Sequence, residues 1–339
     1  MTVPDARGPA GGPGPGRLPA QLSPMLAVPG ALPRDDAGWA YEMKWDGVRA
    51  LAYLDGGQVR LASRTGRDIT VAYPELAALG SAAGAPLLLD GEVVAFEDGR
   101  PSFAQLQQRM HVTSAAQAAR LAGRLPVSYL IFDVLHAGGH PLLDVPYRQR
   151  RQLLEDLDLN LGLGGGSWQV PPAFTGHAGG DVLAVSRDHE LEGIVAKRLD
   201  SAYQPGRRSP DWRKVKNVYR QEFVVGGWRR GERSRAGQIG SLLVGVQGPG
   251  GLAYAGHVGT GFTEQTLDLL ASKLDPLRQP ASPFAEQIPR DHARGAVWVR
   301  PLLVIEAAFA TWTPEGRLRA ASYQGLRDDK DPTEVTRET

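Results

Sequence analysis

The 339-residue sequence contains no cysteine. That excludes a disulfide framework and every cysteine-ligated zinc or iron–sulfur site, and it fits a reducing cytoplasm. An excess of one charge sign is also missing. Thirty-eight Lys and Arg face 37 Asp and Glu, so composition does not announce a nucleic-acid partner and any phosphate footprint must come from local patches. No apolar run approaches a membrane span and the N-terminus lacks the apolar core of a signal peptide, so a cytoplasmic protein without a membrane partner is expected. The seven histidines lack ligand spacing, and none reads as a metal ligand.

What is present is globular in character: 42% hydrophobic and 22% charged residues, in a chain long enough for two ordinary domains. Residues 1–21 form a Gly/Pro-rich segment that cannot bury enough surface to offset chain entropy, and a disordered tail is expected there. Over 22–219, strand-like runs (Trp39–Lys44, Val48–Leu54, Val59–Ser63, Leu87–Asp90, Glu92–Phe96, Val127–Val134, Gly193–Lys197) alternate with helical patterns at Ser102–Arg109, Arg148–Leu157 and Ala178–Glu190. The mixture predicts one α+β domain. Over 220–333, strands at Phe223–Trp228, Ile239–Gln247, Leu252–Val258, Val297–Thr311 and Arg317–Tyr323, with a helix at Thr263–Leu277 after the third, give the element order of an OB-fold β-barrel. Gly226, Gly240 and Gly245 suit bulges in a strongly curved barrel, and 334–339 is left as a C-terminal tail.

Chemistry gathers first at Tyr41-Glu42-Met43-Lys44-Trp45-Asp46-Gly47-Val48-Arg49, a lysine between a strand and an Asp-Gly turn. Alone, Lys-x-Asp-Gly is weak and reads more readily as a surface lysine before a hairpin. Five further segments follow in order: Ser63-Arg64-Thr65-Gly66-Arg67, Asp90-Gly91-Glu92, Tyr129-Leu130-Ile131-Phe132-Asp133, Glu192-Gly193-Ile194-Val195-Ala196-Lys197 and Asp211-Trp212-Arg213-Lys214-Val215-Lys216.

In order and spacing these segments resemble the motifs of the covalent nucleotidyltransferase superfamily: DNA ligases, RNA ligases and mRNA capping enzymes. Phe103–His111, Gly240–Gly245 and Gly325–Lys330 resemble the stand-alone ligase module of bacterial non-homologous end joining in particular, over residues 22–332. The resemblance implies a nucleotidyltransferase (adenylation) domain followed by the OB-fold, and an ATP-dependent DNA ligase working through a lysyl-AMP and a 5′-adenylated DNA. Lys44 is the implied nucleophile. Attack on the α-phosphate requires a neutral amine, whereas a free lysine titrates near about 10.4; Lys214, Lys216 and a bound Mg²⁺ would disfavour the ammonium and stabilise charge on the phosphoryl oxygens.

By the same resemblance Glu42 reads the adenine amine, Phe132 stacks on the base and Ile194 covers its second face. Glu92 accepts from a ribose hydroxyl, and Arg49 and Arg64 reach ribose and phosphate. Glu192 engages Mg²⁺ or Mn²⁺ through water. Arg327 and Lys330 orient pyrophosphate during self-adenylation. The pattern departs from the family at Ala320-Ala321, where relatives often carry proline. For duplex DNA, Arg229, Arg230, Arg233 and Arg235 read as a basic loop between barrel strands, with Arg207 and Arg208 as a second patch. A monomer is expected, associated with the nucleoid when on DNA, with a Ku-type end-binding protein as a possible partner by family company. The alternatives are an RNA ligase or a capping-type guanylyltransferase, or, in another class, an inactive DNA-binding module. An NAD⁺-using ligase is not expected, because its four-cysteine zinc site needs cysteines that are absent and only about 20 residues, read as disordered, precede Leu22.

Overall fold

Alternating and continuous apolar runs become strands throughout the computed structural model, which describes residues 17–157, 159, 167–231, 238–313 and 315–338. The chain divides into two units, Met1–Asn217 and Val218–Thr339, where the sequence suggested a boundary between 219 and 220.

The first unit holds two sheets. One orders Leu26–Pro29, Arg208–Lys216, Gly193–Arg198, Trp39–Met43 and Phe174–Thr175. The other runs Gln58–Ser63, Val48–Asp55, Leu87–Glu97, Val127–Ala137 and His140–Pro141, with two short strands paired alongside. Strand alternation sends side chains to opposite faces. Ala50, Ala52 and Leu54 therefore enter a core with Leu61, Leu89 and Ile131. Leu51 and Tyr53 enter another with Met25, Leu88, Tyr203 and Trp212. Burial on both faces explains why these strands read as continuous apolar runs, and truncating such a leucine to alanine costs about 2–5 kcal/mol. Because Met25 and Trp212 sit in or beside strands of the first sheet, the second cluster joins the two sheets.

The second unit is a five-stranded sheet in the order Gly251–Val258, Ile239–Gly248, Tyr219–Arg230, Ala296–Phe309, Ser322–Leu326. A bridge between Thr260 and Ser322 brings the chain just past the first of these to the last, curling the sheet into a barrel. The helix Glu264–Leu274 follows the third strand in the chain; Thr263 caps it by accepting from the Thr266 N–H at 3.2 Å. Register breaks fall at Gly226 and Gly245, as bulge glycines require.

Four expectations need correction. The fold starts before Leu22, because Leu18 packs with it against the Met25 cluster; only residues 17–21 of the expected tail are described. The C-terminal stretch is not loose, since Val335 is buried in the barrel core and its carbonyl accepts from the Gln247 N–H at 2.6 Å. The last strand is Ser322–Leu326 and not 317–323: Ala320 stands at φ 56°, a left-handed conformation that ends extended structure and that proline cannot adopt. A helix at Ala115–Ala122, capped by Ser114, is only eight residues long and buries fully only the small side chain of Ala118, and the sequence reading missed it. Among the described residues no helix is long and apolar enough to cross a membrane.

Candidate active site

A pocket of about 240 Å³ lies between the two sheets of the first unit. Its lining includes Glu42, Met43, Lys44 and Trp45 from one strand and its exit, Val195 and Lys197 from the next, and Arg208, Trp212 and Lys214 from the third. Arg49, Arg64, Glu92 and Phe132 face them from the other sheet and its hairpin. Register accounts for the convergence: Val195 pairs with both Glu42 and Lys214, and Lys197 pairs with Trp212, so alternate residues of three adjacent strands share one face. Six basic side chains (Lys44, Arg49, Arg64, Lys197, Arg208, Lys214) against two carboxylates (Glu42, Glu92) make the pocket suited to an anion.

Lys44 leaves the strand Trp39–Met43 with its N–H still bonded to Gly193 O at 2.9 Å. The turn that follows requires glycine, because a Cβ on Gly47 would stand 2.3 Å from Val93 O and 2.8 Å from Glu92 Cγ. That close approach brings Glu92 beside Lys44 and is a physical reason for the Lys-x-Asp-Gly spacing. Lys44 Nζ donates to Glu192 Oε2, and Lys216 Nζ lies 2.5 Å from Glu192 Oε1, so one carboxylate bridges two lysines. Burial pushes Glu192 up, but the bonds from Lys216 and Lys44 outweigh it and leave the carboxyl below its ordinary value. Lys214 is held below the ordinary lysine value by burial, then by Lys216, Lys44 and Arg208. Burial raises Glu92 to about 7, against the opposing pull of Arg49 and Lys44.

Away from these lysines the pocket is aromatic. Phe132 and Trp212 meet edge to face at 6.4 Å, and Lys197 Nζ lies 4.4 Å from each ring centroid. Arg49 lies 4.5 Å from the Phe132 centroid and is tied to Asp90, its Nη2 donating at 2.6 Å. Glu42, 6% exposed, lies 2.8 Å from Lys197 Nζ through Oε2 and accepts from the Tyr147 hydroxyl through Oε1. Burial pushes Lys197 below the usual lysine range despite Glu42.

Most nominated nucleotide residues thus meet in one place: Glu42, Lys44, Arg49, Arg64, Glu92, Phe132 and Lys214 line the pocket, while Glu192 and Lys216 reach it through Lys44. Ile194 does not. It is fully buried behind the sheet with Tyr41, Val182 and Ala196, and Val195 takes the pocket position. Simple alternation from Glu192 fails because the strand begins only at Gly193, whose φ of 141° shifts the phase; a Cβ there would stand 2.1 Å from Val215 O.

The expected second DNA patch also divides. Arg208 lines the pocket and donates to Ala27 O at 2.7 Å, while Arg207 is exposed outside the lining. Arg229 and Arg230 close the strand Tyr219–Arg230 instead of forming a loop, paired across to Ser241 and Ile239. Arg233 and Arg235 lie outside the described residues. Within the second unit, Arg327 Nη1 donates to Glu222 at 2.6 Å and its Nε and Nη2 donate to Asp329 at 2.9 Å, with Lys330 Nζ 3.5 Å from Glu222.

Sequence reasoning passed over Lys197 and Trp212 although both stand in quoted segments. Counting back from Lys214 by two reaches Trp212; Lys197 needed the sheet register. For a divalent ion the donor set is sparse, since no cluster of three His, Cys, Asp or Glu side chains forms among the described residues. One or two carboxylates nevertheless suit Mg²⁺, which takes its remaining ligands from water and substrate phosphates.

Residues 24–216 match the ATP dependent DNA ligase domain, and residues 235–330 match the ATP dependent DNA ligase C terminal region. The multifunctional non-homologous end joining DNA repair protein LigD of Mycobacterium tuberculosis is 46% identical over 320 residues, 94% of this chain and 40% of that protein. The chain therefore spans about two fifths of the length of such curated relatives. The crystal structure of the M. tuberculosis LigD ligase domain is 45% identical, with a TM-score of 0.52, covering 94% of this chain and 98% of that one. A mycobacterial DNA ligase D complexed with ATP and MES matches with the same figures. The chain belongs to the ATP-dependent DNA ligase family.

Proposed function

We propose that this chain adenylates itself at Lys44 and uses the adduct to seal nicks or breaks in duplex DNA, as the ligase component of bacterial non-homologous end joining. The observation that carries the reading is the placement of Lys44, at the edge of a cation-rich pocket with an aromatic wall and in contact with the carboxylate shared with Lys216.

The Lys44 Nζ lone pair attacks the α-phosphorus of ATP, a P–N bond forms, and the bond to the bridging oxygen breaks with pyrophosphate leaving. Lys214 and Lys216 stabilise charge on the phosphoryl oxygens. Glu192, already against the amine, takes its proton as the ion pair opens and frees the lone pair. Phe132 and Val195 bracket the base, Glu42 accepts from the adenine amine, and Glu92 accepts from a ribose hydroxyl. Arg49 and Arg64 flank the sugar and phosphates, and Arg327 with Lys330 orients pyrophosphate. AMP then passes to a 5′-phosphate on DNA, and attack by the 3′-hydroxyl seals the strand and releases AMP. Glu192 would hold a divalent ion, Mg²⁺ or Mn²⁺, through water, and the ion would supply charge neutralisation on the phosphates. The working form is a monomer in the cytoplasm, at the nucleoid when on DNA, with a Ku-type protein bringing ends together.

Incubation with α-labelled ATP and Mg²⁺, a denaturing gel, and then addition of nicked duplex tests the reading. A labelled protein band that disappears as sealed DNA forms is expected. Labelling by GTP in preference to ATP, sealing of RNA nicks alone, or an unlabelled protein that still binds DNA would each overturn it.

A further inference from the structure

The acceptor at the base end of the pocket is fixed from behind. Glu42 presents a carboxylate to the pocket, and both its oxygens are held by donors: Oε1 by the Tyr147 hydroxyl and Oε2 by Lys197 at 2.8 Å. Lys197 lines the pocket; Tyr147 is fully buried and does not. Tyr147 opens the helix Tyr147–Asp156, and the same helix braces the aromatic wall. Arg150 forks onto Asp133 at 2.8 and 2.9 Å, next in sequence to Phe132, with both side chains fully buried. The helix start is pinned in turn, with Tyr147 N–H donating to Ser201 O and Arg148 N–H to Leu199 O, each at 2.9 Å. Arg150 ties the same turn through Ser201 O at 3.1 Å.

We propose that this helix sets the base specificity of the pocket without touching the nucleotide, with Tyr147 the positioning residue for Glu42. The proposal rests on the reading of the pocket as an ATP site. A carboxylate can only accept hydrogen bonds. Turned to the exocyclic position of a purine, it matches the amine of adenine and opposes the carbonyl of guanine. The match holds only while the carboxylate keeps one orientation. With two donors behind it, its remaining lone pairs are directed into the pocket. Without Tyr147, Oε1 loses its buried donor and the carboxylate can rotate toward water or another donor. A site that reads a polar group discriminates strongly because its own buried groups go unpaired with the wrong ligand, and a loosened acceptor forfeits that penalty.

The test measures self-labelling rates with α-labelled ATP, GTP and purine riboside triphosphate, which lacks the amine. Tyr147→Phe keeps the ring and removes only the hydroxyl. It should raise the KM for ATP about tenfold, the order of one hydrogen bond to a charged group, and shrink the ATP-over-GTP ratio by a similar factor while kcat moves little. Glu42→Gln, measured in parallel, separates the two ideas. If Glu42→Gln leaves both the GTP and the purine riboside ratios unchanged, Glu42 does not read the amine and the site reading falls together with the proposal. If Glu42→Gln alters the ratios and a folded Tyr147→Phe does not, the site reading stands and the role of Tyr147 is overturned. Thermal unfolding reports the fold of each variant. Should Tyr147→Phe melt early, Tyr147→His, which restores a donor, must recover discrimination; its failure to do so overturns the proposal.

Discussion

Lys214 and Arg327, one assigned cation from each unit, differ in the sign of the charge around them. Lys214, in the first unit, is crowded by Lys216, Lys44 and Arg208, and its amine is held below its ordinary value by burial and by these neighbours. Arg327, in the second, is wrapped by carboxylates: Glu222 at 2.6 Å, Glu306 at 3.3 Å and Asp329 at 2.9 Å. The Arg327 guanidinium in turn holds Asp329 down to about 2. A cation among cations gains most from an arriving phosphate, whereas a cation already paired must exchange one anion for another and gains only the difference. Lys214 therefore gains more from an arriving phosphate than Arg327 does, and the role proposed for Arg327 requires it first to exchange its own carboxylates.

The comparison breaks most completely at the nucleophile. Lys44→Ala should abolish labelling by α-labelled ATP while the protein still seals DNA that already carries a 5′-adenylate, because that step uses no lysine adduct. Labelling that survives would move the nucleophile elsewhere. Conditional help from the second unit predicts a smaller effect of a different kind. Arg327→Ala combined with Lys330→Ala should slow adduct formation by about 10²–10³, the usual cost of losing a charge-stabilising contact in the transition state. Sealing of pre-adenylated nicks should be spared. Equal damage to both reactions would mean that Arg327 and Lys330 hold the barrel together through Glu222 and Glu306 instead.

Glu92 gives a third, milder test, on stability. Its carboxyl is raised from 4.5 to about 7, chiefly by burial. Between those values the folded chain binds more protons than the unfolded chain, so this group destabilises the fold progressively as pH rises through that window. Complete ionisation would cost about 3 kcal/mol for a shift of that size, and partial exposure reduces it. Glu92→Gln should therefore leave stability unchanged near pH 4.5 and raise it by about 1–2 kcal/mol at pH 8, read from urea unfolding of the ligand-free protein. A gain of equal size at both pH values would show that the effect is packing and not ionisation.

The sequence revealed the parts of the site that depend on order along the chain and concealed those that depend on register. Lys44, Glu92, Phe132 and Lys214 were nominated because their segments follow one another in a recognisable order and spacing, each being weak alone. Ile194 was misplaced because a single glycine at φ 141° reverses the phase of the strand, and no composition signal carries that angle. Lys197 and Tyr147 went unassigned because their roles arise from Glu42, 155 and 105 residues earlier in the chain by subtraction of the residue numbers. The fold was legible at the same level. Helix starts at Ser102 and Thr263 coincide with side-chain caps, and bulges fall at Gly226 and Gly245. The edges at Leu18, Ala320 and Val335 escaped because each is decided by tertiary packing or by one left-handed residue.

The smallest expected effect concerns DNA. Arg229 and Arg230 end the strand Tyr219–Arg230 with a register break between them, so they need not alternate strictly across the sheet. Arg229 lies near enough to His257 and His292 to lower both after burial has done so, which places its charge over a patch shared with the Tyr254 ring and Arg317. Arg230 is exposed. Each phosphate neutralised contributes roughly 0.9 to the slope of log affinity against log salt. Replacing Arg229 and Arg230 with alanine should therefore flatten that slope for a nicked duplex by about one to two, measured by fluorescence anisotropy across a KCl series. Extending the change to Arg233 and Arg235 should bring it to about two to three. Adenylation without DNA should be untouched by the Arg229 and Arg230 change, because neither lines the nucleotide pocket. A slope that stays the same would show these arginines to be merely solvated. The footprint would then be sought at Arg207, since Arg208 already belongs to the pocket wall.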